Sequence, residues 1–164
     1  MNPSSQALNS PTLNPCPQAA SMRCVLYVED HPVNVQLMQA IFACRPDCTL
    51  IVATDGESGM EAARRIKPDL LLLDINPPDC DGTELLQRMR KLRDWDDVPA
   101  VAVTAEYGFD TDGTTFCEVW PKPIRLQDTL NSLDRLLVDI GNRHDADIPQ
   151  SRPVDRWPMV AGVA

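Results

Sequence analysis

Four leucines in succession, Leu70 to Leu73, closed by Asp74, constrain this chain more than any other feature. A half-buried strand alternates apolar and polar side chains. A run without alternation has to be covered on both faces, as the strands of a parallel sheet are. Asp74 then stands at the carboxyl end of its strand, where open α/β sheets gather their ligands. Read alone, it also resembles a loop cap. The following Ile75-Asn76-Pro77-Pro78-Asp79-Cys80-Asp81-Gly82 is rich in turn formers and leads into the amphipathic stretch Thr83 to Arg93.

A second acidic site has the same placement. Cys24-Val25-Leu26-Tyr27-Val28 is a short apolar run with β-branched and aromatic character, closed by Glu29-Asp30. His31-Pro32 then opens a helix, since proline is tolerated in a first turn. Val33, Leu37, Met38 and Ile41 are expected to form its apolar face. By itself the acid pair also reads as charge complementing a helix dipole. If the two strands are parallel neighbours, three carboxylates meet at one sheet edge and repel unless a cation neutralises them. Oxygen donors suit a hard ion, and Mg2+ keeps several waters that a few carboxylates and a phosphoryl group can complement.

The remaining segments keep the alternation. Thr49 to Thr54 reads as a strand, Ser58 to Ile66 as a helix and Val98 to Val103 as a strand, with Glu118-Val119-Trp120 as the last strand. Leu126, Leu130, Leu133, Leu137 and Ile140 stripe a final helix, and the stripe reads as core packing. Strand–helix alternation of this kind predicts an α/β domain, doubly wound, with helices on both faces of a parallel sheet. Thr104 follows the fourth strand and Lys122 the fifth. A strand-end threonine is ordinarily only a β-branched residue, and a Lys-Pro step only a turn. A hydroxyl and an ammonium are nonetheless the donors that a phosphoryl group on Asp74 would need.

As an ordered set these residues resemble the receiver domain of two-component response regulators, in particular receivers of the kind fused to hybrid histidine kinases. The likeness runs over Val25 to Asn34, Pro68 to Gly82, Thr104-Ala105 and Phe116 to Pro123, within residues 22–140. It implies a flavodoxin-like (βα)5 fold with a five-stranded parallel sheet. It also implies Asp74 as phosphoacceptor, Thr104 as switch hydroxyl and Lys122 as the lysine that contacts the phosphoryl group. Glu29, Asp30 and Asp74, with the backbone carbonyl of Asn76, match the Mg2+ site. The implied partners are a histidine kinase or histidine phosphotransfer protein upstream and a protein target downstream.

One segment departs from the family. Between Thr104 and Phe116 the chain is shorter than usual, and Glu106 to Thr115 carries two glycines, three threonines and two aspartates without an apolar face at helical spacing. A regular helix is not expected there, so the fourth helix should be shortened or missing. Val119 occupies the position of the family's aromatic switch residue, with Trp120 beside it.

Residues 1–21 hold four prolines among Ser, Asn, Thr and Gln and are expected to be disordered, and residues 141–164 are expected to be a flexible tail. Trp157-Pro158-Met159-Val160 is a small apolar spot within that tail. No apolar stretch suggests a signal peptide or a membrane span, which with six scattered cysteines points to a cytoplasmic protein with reduced thiols. A formal charge of -9 argues against direct nucleic-acid binding through a basic surface. The function expected is that of a single-domain response regulator, a signalling domain rather than an enzyme. The alternative is a receiver fold used as an interaction scaffold without phosphorylation. A phosphohydrolase with an aspartyl nucleophile would want a second aspartate two positions on, where this chain has Asn76.

Overall fold

The computed structural model describes residues 22–93 and 95–146. The expectations for residues 1–21 and for the end of the C-terminal tail, Trp157 to Val160 included, lie outside the described residues. The elements alternate: β1 (Arg23–Val28), α1 (Pro32–Ala43), β2 (Cys48–Ala53), α2 (Gly56–Arg65), β3 (Leu70–Asp74) and α3 (Gly82–Arg93). A 3-10 turn at Trp95–Asp97, β4 (Ala100–Thr104), β5 (Glu118–Pro121) and α4 (Leu126–Ala146) complete them. All neighbouring strands are parallel, in the order β2-β1-β3-β4-β5. This is the doubly wound, flavodoxin-like order, whose direction of winding reverses between β1 and β3. α4 continues to Ala146, past residue 140.

The leucine run behaves as its lack of alternation requires. Leu71 and Leu73 join the core under α2 and α3, while Leu70 and Leu72 join the core under α1 and α4. All four are fully buried. At about 1.5–3 kcal/mol for each buried leucine side chain, this one strand contributes roughly 6–12 kcal/mol of gross stabilisation.

Two sequence readings are corrected. On α1 the buried face is Met38, Ile41 and Phe42, whereas Val33 and Leu37 are exposed. On α4 the buried stripe runs through Leu133, Leu137 and Ile140, with Leu130 packed against it and Leu126 exposed. The misread positions fall in the first two turns of α1 and the first turn of α4. Near its start a helix has only just left the sheet edge, so correct spacing does not guarantee a surface to pack on.

No helix lies between β4 and β5. Residues 105–117 form turns, with Gly108 and Gly113 at positive φ. The connection is still anchored: Phe116, near its end, is buried in the α2–α3 core, and Arg90 Nη2 donates to Thr115 O at 2.9 Å. Phe109 packs on the α2–α3 core and meets Phe116 edge to face, with ring centroids 6.1 Å apart. Elsewhere the segment holds itself by local bonds, such as Thr114 N and Oγ1 donating to Thr111 O.

Candidate active site

Register brings the acidic residues together. Val28 pairs with Leu73, so Glu29 and Asp74 are the next residues along adjacent parallel strands, at the switch point. Thr104 ends β4 opposite Pro121, and Lys122 leaves β5 with its amide donating to Thr104 O at 2.7 Å. Strand parity then sorts the side chains. Glu29, Asp74 and Lys122 continue the series that faces α1 and α4, and Thr104 continues the opposite one.

The sequence after Asp74 explains how the loop stays close. Gly82 N donates to Ile75 O at 2.8 Å, and a Cβ at Gly82 would stand 2.3 Å from Asp74 O, so only glycine permits this return of the chain. Asp81 caps α3 by accepting from the Thr83 and Glu84 amides. Asp79 accepts from the Gly56 and Glu57 amides, tying the same loop to the start of α2. Those bonds hold the Asp79 carboxyl below its ordinary range. Both aspartates of the loop are therefore helix caps, which leaves Asp74 as the loop's carboxylate at the site.

At the centre, Lys122 Nζ lies 2.7 Å from Glu29 Oε2 and 3.0 Å from Asp74 Oδ2. Glu29 is fully buried and accepts four bonds. Tyr27 Oη and Lys122 reach Oε2, and the His31 amide and Asn34 Nδ2 reach Oε1. Burial by itself would raise the Glu29 pKa. The bonds from Lys122, Asn34 and Tyr27 outweigh it, and the carboxyl sits below its ordinary value. The Tyr27 phenol is pushed well up, by burial first and then by the charge of Glu29.

The ligand atoms of Glu29, Asp30 and Asp74 all lie within 4.8 Å of one another. Asp30 is exposed and Asp74 is buried. Three carboxylates against the single Lys122 ammonium leave two formal negative charges uncompensated, and every side-chain donor is oxygen. That balance fits a hard divalent cation. Asn76 is exposed just beyond the strand, with its amide 3.4 Å from Asp74 Oδ1. Thr104 is buried, and its Oγ1 accepts from the Glu106 amide at 3.0 Å. Trp120 points away into the α1–α4 core, where its indole donates to Ser132 Oγ at 3.1 Å, and Val119 packs on the other face.

Tyr27, Asn34 and Asp79 were not singled out from sequence. Period-2 alternation would have put Tyr27 on the side of Glu29, but nothing in one sequence shows that a buried tyrosine ends at a carboxylate. Cys80, within the loop after Asp74, packs against Gly56 and has its thiol pushed up to about 11 by burial and by Asp79. Such a thiol holds little reactive thiolate at neutral pH. Among the described residues no cysteine forms a disulfide.

A parallel sheet with an acidic switch point, a half-buried lysine and a strand-end hydroxyl is the arrangement of a receiver-like fold. Residues 25–116 match the response regulator receiver domain, and the chain belongs to that family. The match ends before Lys122, whose membership of the site rests on the geometry above. Among curated relatives, the nitrate/nitrite response regulator protein NarL of Escherichia coli K12 is 37% identical over 68 residues, which cover 41% of this chain and 32% of that protein. A protein-glutamate methylesterase/protein-glutamine glutaminase of Nitrosospira multiformis is 36% identical over 93 residues, covering 56% and 25%. The chain thus spans about a third or less of these relatives' length.

Solved structures agree on the fold. A CheY-like receiver domain protein from Methanospirillum hungatei superposes with TM-score 0.67 at 22% identity, over 75% of this chain and 99% of that one. The receiver domain of the sensor histidine kinase PA1611 from Pseudomonas aeruginosa, solved with a magnesium ion in its active-site cleft, gives 0.63 at 24% over 73% and 98%. No helix among the described residues is long and apolar enough to cross a membrane.

Proposed function

We propose that this chain acts as a cytoplasmic response regulator, with residues 22–140 as its receiver unit, that accepts a phosphoryl group on Asp74 from a phosphohistidine of a partner protein. The observation that carries the reading is the Lys122 ammonium 3.0 Å from Asp74 Oδ2 at the switch point, beside two further carboxylates. Glu29, Asp30 and Asp74, with the backbone carbonyl of Asn76, are the residues that would hold Mg2+. Bound there, the ion supplies positive charge to the phosphoryl oxygens.

An Asp74 carboxylate oxygen attacks phosphorus in line, the P–N bond to the donor imidazole breaks, and its electron pair leaves with the imidazole. The product is an aspartyl phosphate. Lys122 stabilises the charge on the transferred oxygens from a position it already occupies, so little reorganisation is needed at the moment of transfer. Thr104 exchanges its bond with the Glu106 amide for one donated to the phosphoryl group, and the connection that begins at Ala105 is drawn along.

The exposed apolar side chains suit a protein donor. Val33 and Leu37 on α1 and Leu126 on α4 lie near the starts of the two helices that leave the site on one face of the sheet. An apolar helix face that presents a phosphohistidine would cover them. Output is read as protein–protein interaction through the surface altered between β4 and β5. Incubation with Mg2+ and acetyl phosphate should add one phosphoryl group to Asp74, located by mass spectrometry after trapping of the acyl phosphate. Absence of the adduct, with a folded protein and Mg2+ present, would favour the scaffold reading.

A further inference from the structure

Glu29 is the least solvent-exposed charged group of the site, and its surroundings are more elaborate than a metal ligand or a simple ion pair requires. Oε1 is held from the α1 side by the His31 amide at 3.2 Å and Asn34 Nδ2 at 3.0 Å. Oε2 receives the Lys122 ammonium at 2.7 Å and the Tyr27 hydroxyl at 2.9 Å. Tyr27 is itself fully buried, two residues before Glu29 on the same side of β1, within the α1–α4 core. A carboxylate gripped on both oxygens cannot rotate, so the oxygen facing Lys122 is fixed. Lys122 bridges Glu29 and Asp74, so its place over the acceptor depends on where Glu29 Oε2 stands.

We infer that Tyr27 is a positioning residue for phosphoryl transfer. Its hydroxyl fixes Glu29 Oε2, and Glu29 in turn holds the Lys122 ammonium beside Asp74 before metal or phosphoryl donor arrives. The inference rests on the phosphoacceptor reading for its rate consequence, but the placement of Lys122 can be observed without any phosphorylation. Without the hydroxyl, Oε2 keeps Lys122 as its only donor, the buried carboxylate is under-satisfied, and it draws the ammonium or water toward itself. Asn34 serves the same carboxylate from its other oxygen.

The test uses Tyr27→Phe, which keeps the ring and its packing. In isotope-labelled wild-type protein without metal, the Lys122 ammonium should give a slowly exchanging resonance, identified by its loss in Lys122→Met. In Tyr27→Phe that resonance should shift, and its exchange with water should quicken several-fold. The rate constant for phosphorylation by acetyl phosphate at saturating Mg2+ should fall about tenfold, the scale of one hydrogen bond to a charged group. A tyrosine that only fills the core moves neither reading, and an unchanged ammonium together with an unchanged rate overturns the inference. An altered ammonium with an unaltered rate also overturns it, since the hydroxyl would then shape the site without serving transfer. If wild-type protein takes no phosphoryl group at all, the phosphoacceptor reading fails, and Tyr27 with it as a transfer residue, while the ammonium still reports whether Tyr27 places Lys122. Should Tyr27→Phe not fold, Asn34→Ala removes the donor on the opposite oxygen from a half-buried helix position, and the same two readings are expected to move in the same direction.

Discussion

The strand-end site and the β4–β5 connection lie next to each other, joined at Thr104, yet they are built on opposite terms. At the site, a fully buried carboxylate has four donors, an ammonium is shared between two acids, and a glycine lets the backbone fold back over Asp74. In the connection, Tyr107 is wholly exposed, two glycines take positive φ, and Phe109 and Phe116 are the side chains that join the core. Charges buried at the switch point tolerate no slack, because an unpaired one costs several kcal/mol. A surface connection whose backbone is solvated carries no such demand. The geometry of the site can therefore stay tightly held while the neighbouring surface connection varies.

The most severe test of the first region is Asp74→Asn. Phosphoryl incorporation from acetyl phosphate should vanish entirely, while thermal stability holds or rises because one charge of a crowded acidic cluster is gone. An adduct at wild-type stoichiometry would show that the acceptor lies elsewhere.

Lys122→Met comes next. It leaves Glu29 buried without its cation, and a loss of about 3 kcal/mol is expected from urea unfolding at pH 7. The pH dependence has a definite sign. In the wild type the Glu29 pKa is held below its ordinary value, so its contribution is present above about pH 4.5 and is lost as the pH falls through the lower folded-state value. Without Lys122, burial dominates, the pKa rises, and the variant regains stability as Glu29 takes up a proton. The gap between the two proteins should therefore narrow on acidification from pH 7 toward pH 4.5. A gap constant over that range would mean that Lys122 does not stabilise through Glu29.

The connection should respond more weakly. Phe109→Ala removes one of its anchors to the core and the edge-to-face contact with Phe116, and a loss of about 1–2 kcal/mol is expected for a partly buried ring. Amides of residues 106–115 should then exchange faster while those of β3 stay unchanged. Tyr107→Ser, at a fully exposed position, should shift stability by no more than about 0.5 kcal/mol. In the wild type, hydrogen exchange should find residues 106–115 less protected than any strand of the sheet. Helix-like protection there, with and without phosphodonor, would erase the contrast between the two regions.

Much of this molecule could be read from the order of its residues. The unalternating Leu70 to Leu73 required a strand covered on both faces. The acids after β1 and β3 required a common edge once the strands were parallel, and Gly-, Asp- and Thr-rich residues 106–115 could not make a helix. These are local consequences of periodicity and propensity, so one sequence suffices for them. The starts of α1 and α4 were misjudged, because spacing identifies a face but not whether the sheet extends beneath it. The roles of Tyr27 and Asn34 toward Glu29, of Asp79 toward α2, and of Phe109 under a loop without apolar periodicity were decided by the tertiary structure alone. Each depends on a contact between side chains whose separation is fixed by strand register and helix docking, and a hydrogen bond or a ring contact is won or lost within about an ångström of that placement.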